Sequence, residues 1–247
     1  MRFLIISDVH ANVTALEAVL AAAKGRWDKA ICLGDIVGYG PDPNEAIDAV
    51  RKLDATLIRG NHDKAACGQS DAEDFNHIAR IAAEWTAVQL RPENLEFLRA
   101  LPAGPKQMEG VTLVHGAVLD EDEYIFSPAQ ALDSLLESPT EVTFFGHTHF
   151  QGGFSYRDSR LEVIQLKPQS GASFAALQLV EGTRYLLNPG SVGQPRDGDP
   201  RAAFAVADLG HHVVEFWRAP YDVAAVQARM KQAGLPEPLV QRIGFGR

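Results

Sequence analysis

The sequence predicts an α/β protein in which two β-sheets pack face to face between helices. Strand and helix patterns alternate through the first two-thirds of the chain, as in parallel sheets with crossover helices. From about residue 154 the pattern changes to short, closely spaced strands. An alternating first part followed by a strand-rich second part is compatible with two domains or with one sandwich of two sheets. We find no linker-like stretch between them and favour a single domain over residues 1–247.

Short apolar runs predict the first three strands, at residues 3–6, 30–33 and 55–58. Apolar residues at helical spacing predict a helix over residues 12–24, with Asn12 in position to cap it. Pro43 suits the first turn of a second helix. Residues 72–101 predict two more helices, interrupted near Pro92.

Further along the chain, apolar runs predict strands at residues 111–114 and 142–145, and Ser127 followed by Pro128 predicts the start of a helix between them. Alternating patterns predict five further strands, at residues 160–166, 173–180, 183–187, 202–208 and 212–217. An amphipathic pattern over residues 221–233 predicts a closing helix.

Composition indicates an acidic globular protein. The 247 residues include 23 Lys and Arg against 32 Asp and Glu, which gives a formal net charge of −9. A broad nucleic-acid or anionic membrane surface needs a cationic face, so this balance argues against one. Hydrophobic residues make up 46% and charged residues 22%, which is ordinary globular usage and argues against disorder.

The apolar run at residues 3–6 is shorter than the ~7–15 residues of a secretory signal core, and no run approaches the ~20 residues of a membrane span. The two cysteines, Cys32 and Cys67, would form one disulfide or remain as reduced thiols, and we favour thiols. We therefore expect a cytoplasmic protein without membrane association.

Polar, glycine-flanked clusters follow the predicted strands one after another. They are residues 7–10, 34–35, 60–63, 115–116 and 146–149. The carboxyl ends of the strands in an α/β sheet face one crevice, so we expect these clusters to converge there. Glycine beside each cluster allows the sharp turn that points a side chain inward.

The residue types in these clusters are those of a divalent-metal site. Carboxylate, imidazole and amide ligands without thiolate suit Mn²⁺, Fe, Zn²⁺, Co²⁺ or Ni²⁺, of which we favour Mn²⁺. Seven candidates are too many for one ion and fit two ions that share a carboxylate, which is common machinery for attack on phosphoryl groups. The candidates are Asp8, His10, Asp35, Asn61, His115, His147 and His149.

This ordered set resembles the calcineurin-like metallophosphoesterase superfamily. The resemblance runs from residue 3 to about 150 through Asp8-x-His10, Gly34-Asp35, Gly60-Asn61-His62-Asp63, His115-Gly116 and Gly146-His147-x-His149. Further segments resemble the small prokaryotic phosphodiesterase branch and extend the match to about residue 208. They are residues 7–12, 38–41 and 188–191.

The resemblance implies a four-layer α/β/β/α sandwich and a site with two metals. Asp8, His10, Asp35 and His149 would hold the first metal, and Asp35, Asn61, His115 and His147 the second, with Asp35 bridging. His62 would be the catalytic histidine beside the leaving group, and Asp63 would support it. Asn12 and Tyr39 are implied as pocket residues.

One departure concerns phosphate binding. Related protein phosphatases and symmetric dinucleoside tetraphosphate hydrolases carry an arginine shortly after Gly-Asp, whereas here residues 36–40 contain none. No second aspartate is present to pair with His62 either, which argues against a phosphoprotein substrate. Arg196 is a candidate distant cation, although we favour a solvated loop residue. His77 is read as a partly buried helix residue rather than a ligand.

The predicted function is hydrolysis of small or nucleotide-derived phosphodiesters by a metal-bridging hydroxide, with His62 as general acid. One alternative is a phosphomonoesterase that acts on a small phosphate ester with the same chemistry. A different class is a non-catalytic metal-binding scaffold, like the retromer sorting subunit that resembles this fold. That subunit lacks the histidine that corresponds to His62, which argues against the scaffold.

Overall fold

The computed structural model describes residues 1–72, 75–166 and 173–247. Over these residues the strands β1 to β12 are, in chain order, Arg2–Ile6, Lys29–Cys32, Thr56–Leu57, Lys106–Met108, Val111–Leu113, Val142–Phe144, Gly152–Arg157, Arg160–Ile164, Phe174–Gln178, Arg184–Asn188, Ala202–Asp208 and Val213–Ala219. The helices α1 to α8 are Val13–Ala22, Pro43–Arg51, Asn61–Ala66, His77–Gln89, Pro92–Arg99, Pro128–Glu137, Val223–Gln232 and Glu237–Arg242.

The strands form two mixed six-stranded sheets. The first has the order β3-β2-β1-β11-β12-β9, and the second has the order β4-β5-β6-β10-β7-β8. The first sheet pairs β1, β2 and β3 in parallel and adds the later strands antiparallel. In the second sheet β5, β6 and β10 are parallel, with antiparallel strands at both edges. Parallel strands therefore form one side of the first sheet and the centre of the second.

Alternation along β1 shows how the sheets stack. Phe3 and Ile5 pack in the core between the two sheets, together with Leu113 and Phe144 of the second sheet. The intervening residues of β1, such as Leu4, pack on the opposite face. Because successive side chains of a strand point to opposite faces, one strand serves two cores.

Helices cover both outer faces. Leu16 of α1 and Ile47 of α2 pack with Leu4 on the outside of the first sheet. Leu135 of α6 packs with Phe145 on the outside of the second sheet. The order of layers is helix, sheet, sheet, helix, which confirms the predicted four-layer sandwich.

Local signals explain several helix starts. The Asn12 side chain accepts the Ala15 N–H at 3.1 Å and so caps α1, as predicted. Ser127 and Gln130 form a reciprocal capping box at the start of α6, with Pro128 in its first turn. The two helices predicted over residues 72–101 are α4 and α5, although residues 73–74 lie outside the described chain.

Four elements escaped prediction: β4, β7, α3 and α8. β4 has three residues, and α3 and α8 have six each, so none is long enough to show a period. β7 begins at Gly152–Gly153, and two successive glycines usually indicate a turn. Both glycines have positive φ values of 141° and 150°, which suit an irregular strand start.

A third apolar cluster lies beside the strand ends. Tyr39 packs there with α4, α7 and α8, among residues that include Ala79, Met230 and Ile243. The last helices of the chain thus reach the same end of the sandwich as the predicted site.

Cys32 and Cys67 are both buried free thiols, as favoured from the sequence. Among the described residues, no helix combines the length and apolar character needed to cross a membrane.

Candidate metal centre

Hydrogen bonds between neighbouring strand ends assemble the site. The Asp8 N–H donates to Gly34 O at 3.1 Å, and the His10 N–H donates to Asp35 O at 3.0 Å. Across the sheets, the His147 N–H lies 3.2 Å from both carboxylate oxygens of Asp8. Hydrogen bonds therefore hold neighbouring strand ends of the first sheet together and also join the first sheet to the second at the site. None of these bonds depends on a ligand.

Five of the predicted ligands have left-handed backbone conformations. Their φ values are 53° for Asp8, 47° for His10, 53° for Asp35, 65° for His147 and 62° for His149. This region is uncommon for residues other than glycine, although Asp and His are enriched there. Positive φ at Asp8 and His10 ends the extended conformation of β1, and the chain turns at the point where both side chains enter the cluster. Other residues such as Asp54 and Ser159 share positive φ, but five of the seven predicted ligands have it, so the strained positions are concentrated at the site.

Four side chains form the first cluster: Asp8, His10, Asp35 and His149. One ligand atom from each lies within 4.8 Å of the others, and all four side chains are buried. The His10 and His149 Nε2 atoms are 3.1 Å apart, and the His149 Nε2 is 3.3 Å from Asp8 Oδ1. These are the four residues that the family resemblance assigns to the first metal.

The second cluster contains Asp35, His115 and His147, also within 4.8 Å of one another. Asn61 joins it, since its Oδ1 is 3.2 Å from the His115 Nε2. The Asp35 Oδ2 lies 3.4 Å from the His115 Nε2 and 3.7 Å from the His10 Nε2, so one carboxylate oxygen faces both clusters. All seven predicted ligand residues are brought together.

Backbone carbonyls orient the four histidines. On each ring, the nitrogen that points away from the cluster lies within hydrogen-bond distance of a main-chain oxygen. The pairs are His10 Nδ1 with Val37 O at 3.0 Å, His115 Nδ1 with Leu33 O at 2.8 Å, His149 Nδ1 with Gln194 O at 2.6 Å and His147 Nε2 with Asp122 O at 3.0 Å. An N–H that donates outward leaves the inward nitrogen with a free lone pair, which is how metal-binding histidines are held.

This donor set fits divalent cations. The inward nitrogens of His10 and His149 would repel each other at 3.1 Å unless a positive charge lay beside them. The Asp8 and Asp35 carboxylates add negative charge at full burial. Buried charges need a partner, and here a cation shared by the whole cluster would provide it.

The protonation states agree with metal binding. Burial holds the pKa of His10 well below its ordinary value and lowers the pKa of His147 to about 3, so both rings are neutral. Burial also acts to lower the pKa of His115, but the Asp35 carboxylate outweighs it and raises that pKa to about 10. The negative charge of the Asp35 carboxylate can therefore be balanced either by a proton on His115 or by a metal ion.

His62 lies beside the clusters without joining them. Its ring centroid is 4.9 Å from that of His10, 4.3 Å from that of Tyr39 and 4.5 Å from that of Phe75. Among the described residues its buried Nδ1 has no hydrogen-bond partner, and a Cβ on Gly38 would approach that atom to 2.5 Å. Burial lowers the pKa of His62 to about 4 against the opposing charge of Asp35. The ring is thus free for a role other than metal binding.

Asp63 has the contacts of a positioning residue. Its Oδ1 accepts the N–H groups of Ile36 and Val37 at 2.9 and 3.2 Å, and its Oδ2 accepts the Gly60 N–H at 3.1 Å. The side chain is fully buried. One carboxylate therefore joins the loop after β2 to the start of α3, and these two segments carry Asp35 and the Asn61–His62 pair.

Replacing Asp63 with asparagine is expected to lower the free energy of unfolding by about 1–3 kcal/mol, because the amide NH₂ would face a backbone N–H that needs an acceptor. Denaturant unfolding measures the loss, and metal content reports on the neighbouring ligands. D133N, at an exposed position of α6, is the matched control and should unfold at the wild-type midpoint. An unchanged midpoint in D63N would show that the carboxylate does not support these loops.

A cavity of about 550 Å³ opens at the second cluster. Its wall contains Asn61 and His147 of that cluster together with His62. The remaining lining includes aromatic residues and an acidic segment: Tyr39, Phe75, Tyr124, Asp120, Asp122 and Glu123. A volume of this size suits a small organic ligand. Most of its lining comes from two segments, between Ser70 and Ala79 and between Asp120 and Tyr124, and residues 73–74 of the first lie outside the described chain.

The two predicted pocket residues differ in position. Tyr39 lines the cavity and contacts both His10 and His62. Asn12 instead lines a much smaller space, and its amide is used by the backbone, since Nδ2 donates to Gly193 O at 3.0 Å. Asn12 therefore holds the loop after β10 against α1, away from the large cavity.

Two other expectations change. Arg196 is half-buried beside the Tyr39 ring rather than solvated, since the loop that follows β10 folds back over the site. His77 is exposed, because it is the first residue of α4 and points away from the helix's buried face.

Tyr124 was not predicted, although its ring stacks on His147 with centroids 3.6 Å apart. One usable signal was present in the sequence, an aromatic residue at the end of an acidic run that precedes the Ser127 helix cap. That signal does not reveal contact with a residue 23 positions away. Phe126 stacks on Tyr124 in turn, with centroids 5.2 Å apart.

Comparison with known proteins agrees with this geometry. The family model described as the calcineurin-like phosphoesterase superfamily domain matches residues 1–212. A crystal structure of a metallophosphoesterase from Sphaerobacter thermophilus is 42% identical, covers 100% of this chain and 99% of its own, and superposes with a TM-score of 0.84. The hypothetical protein PH1004 from Pyrococcus horikoshii OT3 has a TM-score of 0.80 at 20% identity over 100% of this chain and 98% of its own, which shows the shared fold.

Uncharacterized protein MJ0912 from Methanocaldococcus jannaschii is 34% identical over 249 residues, which cover 98% of this chain and 97% of that protein. These relatives are prokaryotic proteins of nearly the same length, as the resemblance to the small prokaryotic branch implied. The match over residues 1–212, the four-layer fold and the His/Asp clusters agree. The chain belongs to the calcineurin-like phosphoesterase superfamily.

Proposed function

We propose that this protein is a dinuclear-metal phosphodiesterase that hydrolyses small or nucleotide-derived diesters. The observation that carries the proposal is the pair of ligand clusters sharing Asp35 at the wall of a cavity that also contains His62. A non-catalytic scaffold has no need of an unassigned histidine between the ligands and a cavity.

Each of the two ligand clusters would hold one metal ion. Asp8, His10, Asp35 and His149 would bind one ion, and Asp35 with Asn61, His115 and His147 would bind the other. Two divalent ions supply a water activated near neutral pH and positive charge that offsets the phosphoryl oxygens. Oxygen and imidazole ligands without thiolate favour Mn²⁺ for both positions.

His62 would give its proton to the leaving-group oxygen. Its ring lines the cavity, and its main-chain N–H donates to the Asp35 Oδ1 at 2.8 Å, which fixes the residue relative to the clusters. Burial alone keeps the ring neutral, and a bound phosphoryl anion beside it would favour the protonated form. The leaving group would then depart into the cavity.

The cavity suits an uncharged leaving group. Asp120, Asp122 and Glu123 line it, and these carboxylates would repel a further anion. A diester has two organic groups, and a volume of about 550 Å³ provides room for one of them beside the metals. A monoester would place its single organic group in the same space, so the case for a diester rests on the aromatic row beside His147, which would contact the second group.

An aromatic row supports a nucleotide-derived substrate. From His147 the rings of Tyr124 and Phe126 stack outward in series, and Phe150 meets Phe126 edge-on with centroids 6.3 Å apart. Phe126 is 62% exposed, which leaves a face open to the solvent. Stacking of a nucleobase on such a ring typically contributes about 1–3 kcal/mol.

With Mn²⁺ supplied, kcat/KM for bis(p-nitrophenyl) phosphate is expected to exceed that for p-nitrophenyl phosphate by at least tenfold, because the cavity and aromatic row would contact the second ester group. Release of p-nitrophenol measures both rates. A preference for the monoester would instead favour the phosphomonoesterase alternative.

A panel of cyclic nucleotides, dinucleotides and glycerophosphodiesters would then identify the substrate class. Dinucleotides should be hydrolysed faster than glycerophosphodiesters if a base stacks on the aromatic row. Metal-free protein is the blank for every substrate, and hydrolysis that survives chelation would contradict the metal-dependent mechanism.

We also propose that residues 1–247 act as one domain. The helices α7 and α8 follow the part of the chain that the family model matches, yet they pack against Tyr39 beside the ligand clusters.

A further inference from the structure

Arg196 is held in place at the edge of the site. Its main-chain N–H donates to His149 O at 3.3 Å, and its Nη2 donates to Gln194 Oε1 at 3.0 Å. The same Nη2 is 3.5 Å from the Tyr39 hydroxyl, and the guanidinium carbon is 5.8 Å from the centroid of the Tyr39 ring. Among the described residues its buried Nε has no hydrogen-bond partner.

Arg242 reaches the same place from α8. The turn after α8 docks on the Arg196 loop, where the Gly198 N–H donates to Gly246 O at 2.9 Å. Ile243 packs in the apolar cluster around Tyr39. Burial and the Arg196 charge both lower the pKa of Arg242, and Tyr39 and Tyr124 oppose them. The end of α8 is therefore docked beside the loop that carries Arg196, and the Arg242 Nε donates to the main-chain oxygen of Arg247 at 2.6 Å.

Neither cation pairs with an acidic side chain. Within residues 1–72, 75–166 and 173–247, no Asp or Glu oxygen lies within 4.0 Å of Arg196 or Arg242. By contrast, Arg59, Arg201 and Arg218 each pair with an acidic side chain, and the half-buried Arg184 donates to three main-chain oxygens. Cations partly withdrawn from water cost free energy unless an anion joins them.

The tyrosines separate this pair from the metal ligands. The Tyr39 ring contacts His10 and His62 and is also the ring that Arg196 approaches. Arg196 opposes the rise to about 12 that burial causes in the pKa of Tyr124, which stacks on His147. Tyr39 therefore lies in contact with both Arg196 and the histidines of the site, and neither arginine is among the residues that line the acidic cavity.

We propose that Arg196 and Arg242 bind a second phosphate group of the substrate, one that is not hydrolysed. This inference rests on the proposed function and narrows it to phosphodiesters that carry a further phosphate, such as a phosphorylated dinucleotide. The acidic cavity accepts the uncharged leaving group, and the arginine pair holds the anionic end. The substrate is thereby bound in one direction only.

Inhibition of bis(p-nitrophenyl) phosphate hydrolysis tests the pair. Adenosine 3′,5′-bisphosphate and adenosine 5′-monophosphate differ by one phosphate. In the Mn²⁺-loaded wild type we expect the bisphosphate to have an inhibition constant at least tenfold lower. That ratio corresponds to about 1.4 kcal/mol, within reach of one charged hydrogen bond. R196Q and R242Q should each bring the ratio below about threefold, whatever they do to turnover.

Two variants complete the design. R157Q removes an exposed arginine at the end of β7 and should keep the wild-type ratio. R242K retains the charge and should give an intermediate ratio, which separates charge recognition from a general disturbance of α8. Equal inhibition constants in the wild type, or ratios unchanged in R196Q and R242Q, would overturn this inference alone. Absence of diester hydrolysis in the wild type would overturn the proposed function instead.

Discussion

Replacing His62 with alanine is expected to lower kcat for a dinucleotide at least a hundredfold while both metal ions remain bound. His62 contributes no atom to either ligand cluster, so its removal leaves the metal ligands in place. Proton transfer to a leaving alkoxide typically contributes 10²–10⁴-fold. The loss should be smaller with bis(p-nitrophenyl) phosphate, because p-nitrophenolate leaves readily without a proton.

The comparison of the two substrates distinguishes acid catalysis from damage to the site. A general disturbance would slow both reactions equally, whereas loss of the acid affects mainly the poor leaving group. H77A is the matched control, since His77 is exposed at the start of α4. Metal analysis of purified H62A verifies the ligands. Wild-type turnover in metal-replete H62A would remove His62 from this role.

Replacing Asp35 with asparagine is expected to weaken both metal ions, whereas replacing Asp8 with asparagine should weaken chiefly one. Asp35 Oδ2 faces both clusters, and Asp8 belongs to the first cluster only. Loss of the negative charge of Asp35 would also weaken the attraction of each cluster for a metal ion, which offsets the repulsion between the facing histidine nitrogens. We expect less than about one metal ion per chain in D35N and at least tenfold weaker binding at each position.

Atomic spectroscopy of dialysed protein gives the metal content, and titration with Mn²⁺ gives the affinity of each position. D8N is the internal comparison, because it removes the same charge from a buried carboxylate. Two retained equivalents in D35N would show that Asp35 does not bridge. Circular dichroism of both variants verifies that the fold persists.

Much of this site was predictable because each ligand follows an apolar strand directly. Asp8 and Asp35 follow the parallel strands β1 and β2 of the first sheet, and His115 and His147 follow the parallel strands β5 and β6 of the second. Parallel strand ends meet at one edge of each sheet. The position of Arg242 was not predictable in the same way. It depends on docking of a six-residue helix and a turn onto a loop more than 40 positions earlier, and neither segment shows a periodic pattern.

The left-handed conformations at the ligands also escaped prediction. Asp and His tolerate positive φ but do not require it, so the residue type alone does not indicate it. The glycines beside the clusters indicated sharp turns, but not which ligand residues would adopt positive φ. Hydrogen bonds between strand ends, such as the His10 N–H to Asp35 O, impose that turn.

The carbonyls that orient the metal-binding histidines have a consequence for folding kinetics. His10 is oriented by residue 37, His115 by residue 33, His147 by residue 122 and His149 by residue 194. A ring without its carbonyl can rotate or change tautomer, and its nitrogen then no longer points into the cluster. Tight capture of metal therefore requires that β1, β2, the acidic segment and the loop after β10 have all docked. We therefore expect metal uptake to follow the docking of these segments, so that it reports the completion of folding rather than its nucleation.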